Sequence, residues 1–248
     1  PSIARQLLPL IPVALRSRLS SGNGDEIIPM RDLFTSPAVS FAYERGWRQN
    51  FIAAGFPGPD KEAELAMEFF GNKDDSTVLV DMSCATGLFT RRFAQTNKYN
   101  RVLGCDYSDS MLNEARRRIN AQPDLDDNLE LIRLDVGNIP MQNNTIDYLH
   151  AGAAMHCWPE LDRAASEIYR VLKPNGGKYF ATTFLAEYFR ILQRSDGAQA
   201  SSGPSKQAFQ YFSSTQSLKD LMVRGGFDAD KVSVEVLGSA CVVIRAEK

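Results

Sequence analysis

The chain has 248 residues, 44% of them apolar, and 28 lysines plus arginines nearly balance 30 aspartates plus glutamates. That length can bury a full core in one compact domain, while a net charge of −2 leaves no basic surface for a phosphate backbone, so no nucleic-acid partner is expected. The four cysteines, at 84, 105, 157 and 241, have neither metal-ligand spacing nor the density of a disulfide scaffold; no metal is expected, and the thiols read as reduced.

In chain order, Pro1 at the first position reads as a processed or trimmed product. Residues 1–31 read as a strap on the domain. Their apolar residues are mixed with Arg5, Arg16 and Arg18, a pattern that also suits peripheral contact with an anionic membrane, but Pro9 and Pro12 interrupt any helix there. No apolar run reaches the roughly 18 residues of a transmembrane helix. Residues 32–72 read as a helical cap rich in aromatics: Phe34, Phe41, Tyr43, Trp47, Phe51, Phe56, Phe69 and Phe70. The core is expected over 73–248, with strands near 77–81, 101–106, 129–134, 146–151, 177–184, 231–237 and 240–246 and helical stretches between most of them. This alternation predicts an α/β fold, a parallel sheet covered by helices on both faces. The last two strands are separated only by a short turn containing Gly238 and must pair as a hairpin. A lid-like insertion is expected at 185–213, where Tyr188, Phe189, Phe209, Tyr211 and Phe212 flank a Ser-, Gly- and Ala-rich stretch.

The chemistry begins in Val78-Leu79-Val80-Asp81-Met82-Ser83-Cys84-Ala85-Thr86-Gly87-Leu88-Phe89, a strand, an acid, a tight turn and a helix start. A second strand ends on an acid at Val102-Leu103-Gly104-Cys105-Asp106. Small residues at 83, 85 and 87 allow a sharp bend and a ligand close to the main chain, and Asp106 is placed to accept from both hydroxyls of a ribose. A dinucleotide pyrophosphate would want glycine at each close approach and no competing carboxylate. With Ser83, Ala85 and Gly87 preceded by Asp81, a cationic, phosphate-free nucleoside such as S-adenosylmethionine fits better. A third strand, Leu129 to Leu134, delivers Asp135-Val136, and Asp135 suits the adenine amine; Met111, in the helix opened by Ser108-Asp109-Ser110, suits the adenine face.

Asp81 to Gly87, Asp106, Asp135, Asp147 to Trp158 and Glu167 to Gly177 together resemble class I S-adenosylmethionine-dependent methyltransferases, within them the ubiquinone/menaquinone-biosynthesis type, and most closely its plastid plant and algal members. These share the Asp-x-Ser-Cys turn, His150 to Ala154, His156-Cys157-Trp158-Pro159 and Tyr43-Glu44-x-Gly46-Trp47-Arg48-Gln49. The resemblance covers roughly 32–246. It implies a Rossmann-like seven-stranded mixed sheet in the order 3-2-1-4-5-7-6 with the last strand antiparallel, an N-terminal helical cap, S-adenosylmethionine as cofactor and a plastid (chloroplast) location. Ala85 and Ser83 depart from the family, which usually has glycine at both places.

On that footing the cofactor-binding set is Asp81, Ser83, Cys84, Ala85, Gly87, Asp106, Tyr107, Met111, Asp135, Val136 and Ala151, with Arg48 pairing with the methionine carboxylate. Tyr43, Trp47, Trp158 and Tyr211 are the expected walls for a small-molecule acceptor, either a small organic or a hydrophobic aromatic one, with C-methylation the first expectation and O- or S-methylation behind it. Both histidines fall near the end of the fourth strand. His156 is the candidate base or acceptor-orienting residue, and His150 is expected to be structural. Two rival readings differ in class. One is an NAD(P)-dependent oxidoreductase; the other is a non-catalytic methyltransferase-like scaffold or assembly factor, which Ser83 and Ala85 make plausible.

Overall fold

The computed structural model describes residues 34–35, 37–43, 50–53, 55–71, 76–122, 125, 128–185, 212–238 and 240–248. The strap at 1–31 and all but the ends of the lid-like insertion at 185–213 lie outside these residues, as do Trp47, Arg48 and Tyr211. Seven strands form one sheet: β1 (Val78–Met82), β2 (Arg101–Asp106), β3 (Leu129–Arg133), β4 (Tyr148–Gly152), β5 (Lys178–Phe184), β6 (Val232–Leu237) and β7 (Cys241–Glu247). Their order is β3-β2-β1-β4-β5-β7-β6, with β7 antiparallel to both β5 and β6 and the pairs from β3 to β5 all parallel. The expected order, the hairpin and the antiparallel last strand are all present.

Helices α1 (Pro37–Ala42), α2 (Asn50–Ala53) and α3 (Pro59–Phe70) precede the sheet; α4 (Leu88–Ala94), α5 (Asp109–Asn120), α6 (Leu161–Val171) and α7 (Thr215–Gly225) connect strands. The starts of the later helices follow from local chemistry. The Ser108 hydroxyl accepts from the Met111 N–H to cap α5, and Ser214 and Ser217 cap α7 reciprocally. Gly226, in the left-handed region at φ 119°, ends α7.

The central strands are buried on both faces, which is why they read as nearly unbroken apolar runs. Strand alternation still sorts their side chains. Val80 and Met82 of β1 pack with Leu149, Ile168 and Leu221 on one face, whereas Leu79 packs with Phe70, Phe93 and Phe180 on the other. Asp81 shares the Leu79 face, the side that carries α4. At the amino end of the sheet, the Asp147 carboxylate accepts from the Val78 N–H at 3.0 Å and the Lys173 ammonium at 2.8 Å, pinning the start of β1 beside β4.

Close backbone packing between β2 and its neighbours depends on Gly104. A Cβ there would lie 2.8 Å from Leu131 Cδ2 and 2.9 Å from Thr90 Cγ2. Gly104→Ala is therefore expected to destabilise the fold by about 1–3 kcal/mol, read as a lower denaturant midpoint with an unchanged m-value.

Candidate active site

At the carboxyl ends of β1, β2 and β4 lies a cleft of about 710 Å³, open to solvent on one side. Its innermost wall is the turn after β1. Ser83 and Ala85 both adopt left-handed backbone conformations, at φ 58° and 51°, which cost an L-residue roughly 1–2 kcal/mol each relative to glycine. Two bonds hold these residues there. The Ala85 N–H donates to Asp106 Oδ2 at 2.8 Å, and the Trp158 indole N–H donates to Ser83 Oγ at 3.0 Å. The turn closes with Gly87 N–H donating to the Cys84 carbonyl, after which Gly87, itself left-handed, starts α4.

Asp106, the last residue of β2, uses both carboxylate oxygens on main-chain donors. Oδ2 takes the Ala85 N–H, and Oδ1 takes the Ser108 N–H at 2.8 Å. Burial raises its pKa from 3.8 to about 6, against the lowering effect of those N–H groups. Its remaining lone pairs border the cleft beside Tyr107, Ser108 and Met111. Ser108 also clips the cap to the site, because its hydroxyl donates to the Phe34 carbonyl at 2.8 Å; beside it Ser40 and Ser110 hydroxyls meet at 2.9 Å.

Across the cleft, Leu134, Asp135 and Val136 follow β3, and Gly152, Ala153 and Ala154 follow β4. Asp135 Oδ1 accepts from the Gly137 N–H at 2.9 Å, which folds the strand end into a turn beside the cleft that Asp135 lines. The chain after β4 makes one 3₁₀ turn, Met155–Cys157, and brings Cys157, Trp158 and Pro159 to the rim. Burial holds the thiols of Cys84, Cys105 and Cys157 well above the usual range, so none is an activated nucleophile.

Of the residues singled out from sequence, Tyr43, Ser83, Ala85, Asp106, Tyr107, Met111, Asp135, Val136 and Trp158 line this one cleft. Six others stand behind it. Asp81, 1% exposed, accepts from Thr90 Oγ1 at 2.6 Å and pairs with His150 Nδ1 at 2.8 Å. The β1/β4 register sets Asp81 directly beside His150, so strand pairing turns this acid toward α4 and not toward the cleft. His150 is enclosed by Phe89, Phe93 and Phe180. Cys84, Gly87 and Ala151 support the turn and the β4 end. His156 packs edge-on against Phe184, with Nδ1 3.5 Å from Thr183 Oγ1, beside the aromatic cluster of Phe51, Phe56 and Phe184. Sequence reading overlooked Phe34, Met82, Ser108, Leu134 and the Gly152–Ala154 segment. Their positions next to strand ends were the available signal, but apolar and small residues carry no chemical mark.

A family model described as a methyltransferase domain matches residues 79–176, the span from β1 through α6 that builds most of the cleft. Over that span the chain is similar to a methyltransferase domain. A chloroplastic, uncharacterised methyltransferase of Arabidopsis thaliana is 46% identical over 164 residues, covering 65% of this chain and 46% of that protein. The demethylmenaquinone methyltransferase of Symbiobacterium thermophilum is 41% identical over 119 residues, covering 46% of this chain and 45% of that protein. The chain thus spans a little under half the length of these curated relatives. Among solved structures, phosphoethanolamine N-methyltransferase 2 of Haemonchus contortus superposes with a TM-score of 0.66 at 19% identity, over 90% of this chain and 61% of that one; this likeness concerns the fold. Among the described residues, no helix is long and apolar enough to cross a membrane.

Asp106 gives the cleft a signed pH dependence. With the folded pKa raised to about 6 from 3.8, this group's contribution to stability is fully present below the ordinary value and is lost as pH rises through the raised one. Ligand hydroxyls need the ionised carboxylate, so binding runs the opposite way. Adenosine affinity, measured by calorimetry from pH 8 to pH 5, is expected to be flat at the alkaline end and to fall by up to about tenfold per unit below the raised pKa, with proton release on binding in that range.

Proposed function

We propose that this chain is an S-adenosylmethionine-dependent methyltransferase acting on a small, apolar aromatic acceptor of the quinone type, with carbon the methylated atom. The observation that carries the reading is the use of the turn's donors. The Ala85 N–H is taken by Asp106 and the Gly87 N–H by the Cys84 carbonyl, so the first turn offers a diphosphate little, while a carboxylate faces the place of a ribose. A nucleoside without phosphate, bearing a cationic sulfur, suits this donor set. The cleft's chemistry fits the whole group. Asp106 would accept from the ribose hydroxyls, Met82, Met111, Leu134 and Val136 would contact the adenine, and Asp135 would accept from its amine. Arg48 is proposed to pair with the methionine carboxylate, and Tyr43, which lines the cleft, to wall the acceptor.

When bound, S-adenosylmethionine supplies a methyl group already activated by a sulfonium. The protein's own task is then mainly alignment and exclusion of water, which at best supply roughly 7–11 kcal/mol, against the 10²–10⁴-fold typical of a proton-transfer residue. Trp158, held by Ser83, and Pro159 form a rigid wall where the acceptor would lie; Trp47 and Tyr211 are proposed to complete it. The ring cluster of Phe51, Phe56, Phe184 and His156 backs the cleft at the ends of β4 and β5 without itself lining it. His156 is proposed to orient that acceptor, since its ring is anchored on Phe184 and Thr183. The relatives named for demethylmenaquinone and for the chloroplast support a quinone-type acceptor and a plastid setting.

Calorimetry with S-adenosylmethionine, S-adenosylhomocysteine and NAD(H) separates the readings. The first two are expected to bind at micromolar to sub-millimolar concentration and the dinucleotide not at all; NAD(H) binding would support an oxidoreductase, and absence of all binding a scaffold. With labelled donor and a plastid lipid extract, His156→Ala is expected to lower methyl incorporation about tenfold or more while S-adenosylhomocysteine affinity stays within about twofold. Unchanged incorporation would remove His156 from the mechanism.

A further inference from the structure

Among the described residues, six other than glycine have positive φ, and three of these are asparagines, the residue type that tolerates this conformation most readily. The other three, Ser83, Ala85 and Ala153, all line the cleft. The first two are held by Trp158 and Asp106. Ala153, at φ 52°, is held by a route that leaves the cleft altogether. Its N–H donates to Thr182 Oγ1 at 2.8 Å, and that hydroxyl donates to Glu62 Oε1 at 2.5 Å. Thr182 stands beside Gly152 in the β4/β5 register, and Glu62 lies in the first turn of α3, 0% exposed.

We infer that Thr182 and Glu62 are positioning residues for the donor cleft, a buried hydrogen-bond relay through which helix α3 holds Ala153 and the chain leading to Trp158. The inference rests on the donor-cleft reading given above. Its chemistry is directional. A carboxylate only accepts, so the threonine hydrogen goes to Glu62, and the oxygen lone pairs are left to accept the Ala153 N–H. Removing the hydroxyl takes the acceptor from the buried Ala153 N–H and one hydrogen bond from the buried Glu62 carboxylate, and both losses are costly. The conformation easiest for Ala153 is then no longer the left-handed one, and a different φ there redirects the segment Ala154 to Trp158. A carboxylate buried at this position needs a reason; a chain with only packing to satisfy would place an apolar residue on this face of α3, beside Ala63 and Ala66.

The test compares S-adenosylhomocysteine affinity by calorimetry in the full chain and in Thr182→Val, Thr182→Ser and, as a stability control, Val232→Ala in the distant edge strand β6, all below their melting temperatures. Thr182→Ser keeps the hydroxyl and is expected to bind like the unaltered chain. Thr182→Val is expected to weaken binding about tenfold or more, while Val232→Ala loses thermal stability without losing affinity. Equal affinities of Thr182→Val and Val232→Ala would overturn the inference. Should Thr182→Val fail to fold, Glu62→Ala takes its place, with several-fold weakening expected and unaltered affinity contradicting the relay. If the unaltered chain binds no S-adenosylhomocysteine, the donor reading fails. The relay is then judged by Trp158 fluorescence in a Trp47→Phe background, which leaves one tryptophan. An emission shift in Thr182→Val but not in Thr182→Ser or Val232→Ala supports it, and identical spectra overturn it.

Discussion

The two oxygens of Asp106 do more for this cleft than any other pair of atoms in it. One takes the Ala85 N–H and the other the Ser108 N–H, so a single side chain at the end of β2 fixes both the turn after β1 and the start of α5. Those are the two backbone segments between which a nucleoside would lie. Because the same carboxylate is nearly buried, it is kept partly against its own preference for water, which is why its pKa is raised. Main-chain donors offset that desolvation only in part, and hydroxyls of a bound ribose would offset more.

Around this point the structure concentrates backbone strain. Glycines would adopt the left-handed region at 83 and 85 without penalty, yet serine and alanine stand there. At position 83 the gain is visible. The serine hydroxyl satisfies the N–H of a tryptophan that is 4% exposed, and a buried indole N–H without an acceptor costs about 1–3 kcal/mol, comparable to the conformational penalty avoided by glycine. The substitution therefore exchanges backbone ease for a tie across the cleft between the β1 and β4 ends. For Ala85 nothing comparable is added; its methyl borders the cleft and its N–H bond would survive in glycine.

Much of this was legible from sequence because it depended on local period and on acids at strand ends. The strand runs gave the elements, family resemblance gave their order, and Asp106 and Asp135 stand where strand ends put them. Asp81 shows where such reasoning stops. It too lies at a strand end, but one residue short of it, and alternation along β1 turns it to the α4 face, onto Thr90 and His150. The partnership of Glu62 with Thr182 was invisible because it joins residues 120 positions apart through packing of α3 on β5. Nothing in the composition of Pro59–Phe70 marks one of its glutamates as the buried one. Similarly, His156 is near the expected place in the chain, yet the 3₁₀ turn after β4 sets its ring against Phe184, a contact made by tertiary packing and not by local pattern.

The hold of Asp106 on the turn is most directly measured by amide hydrogen exchange at Ala85 and Ser108 in Asp106→Leu, a near-isosteric change that removes both acceptors. If the carboxylate fixes the two segments, protection at these amides falls by about tenfold or more while that of β1 and β4 core amides is retained. Protection at Ala85 and Ser108 equal to that of the unaltered chain would mean that the turn holds its shape without Asp106, and would contradict the central role given to it.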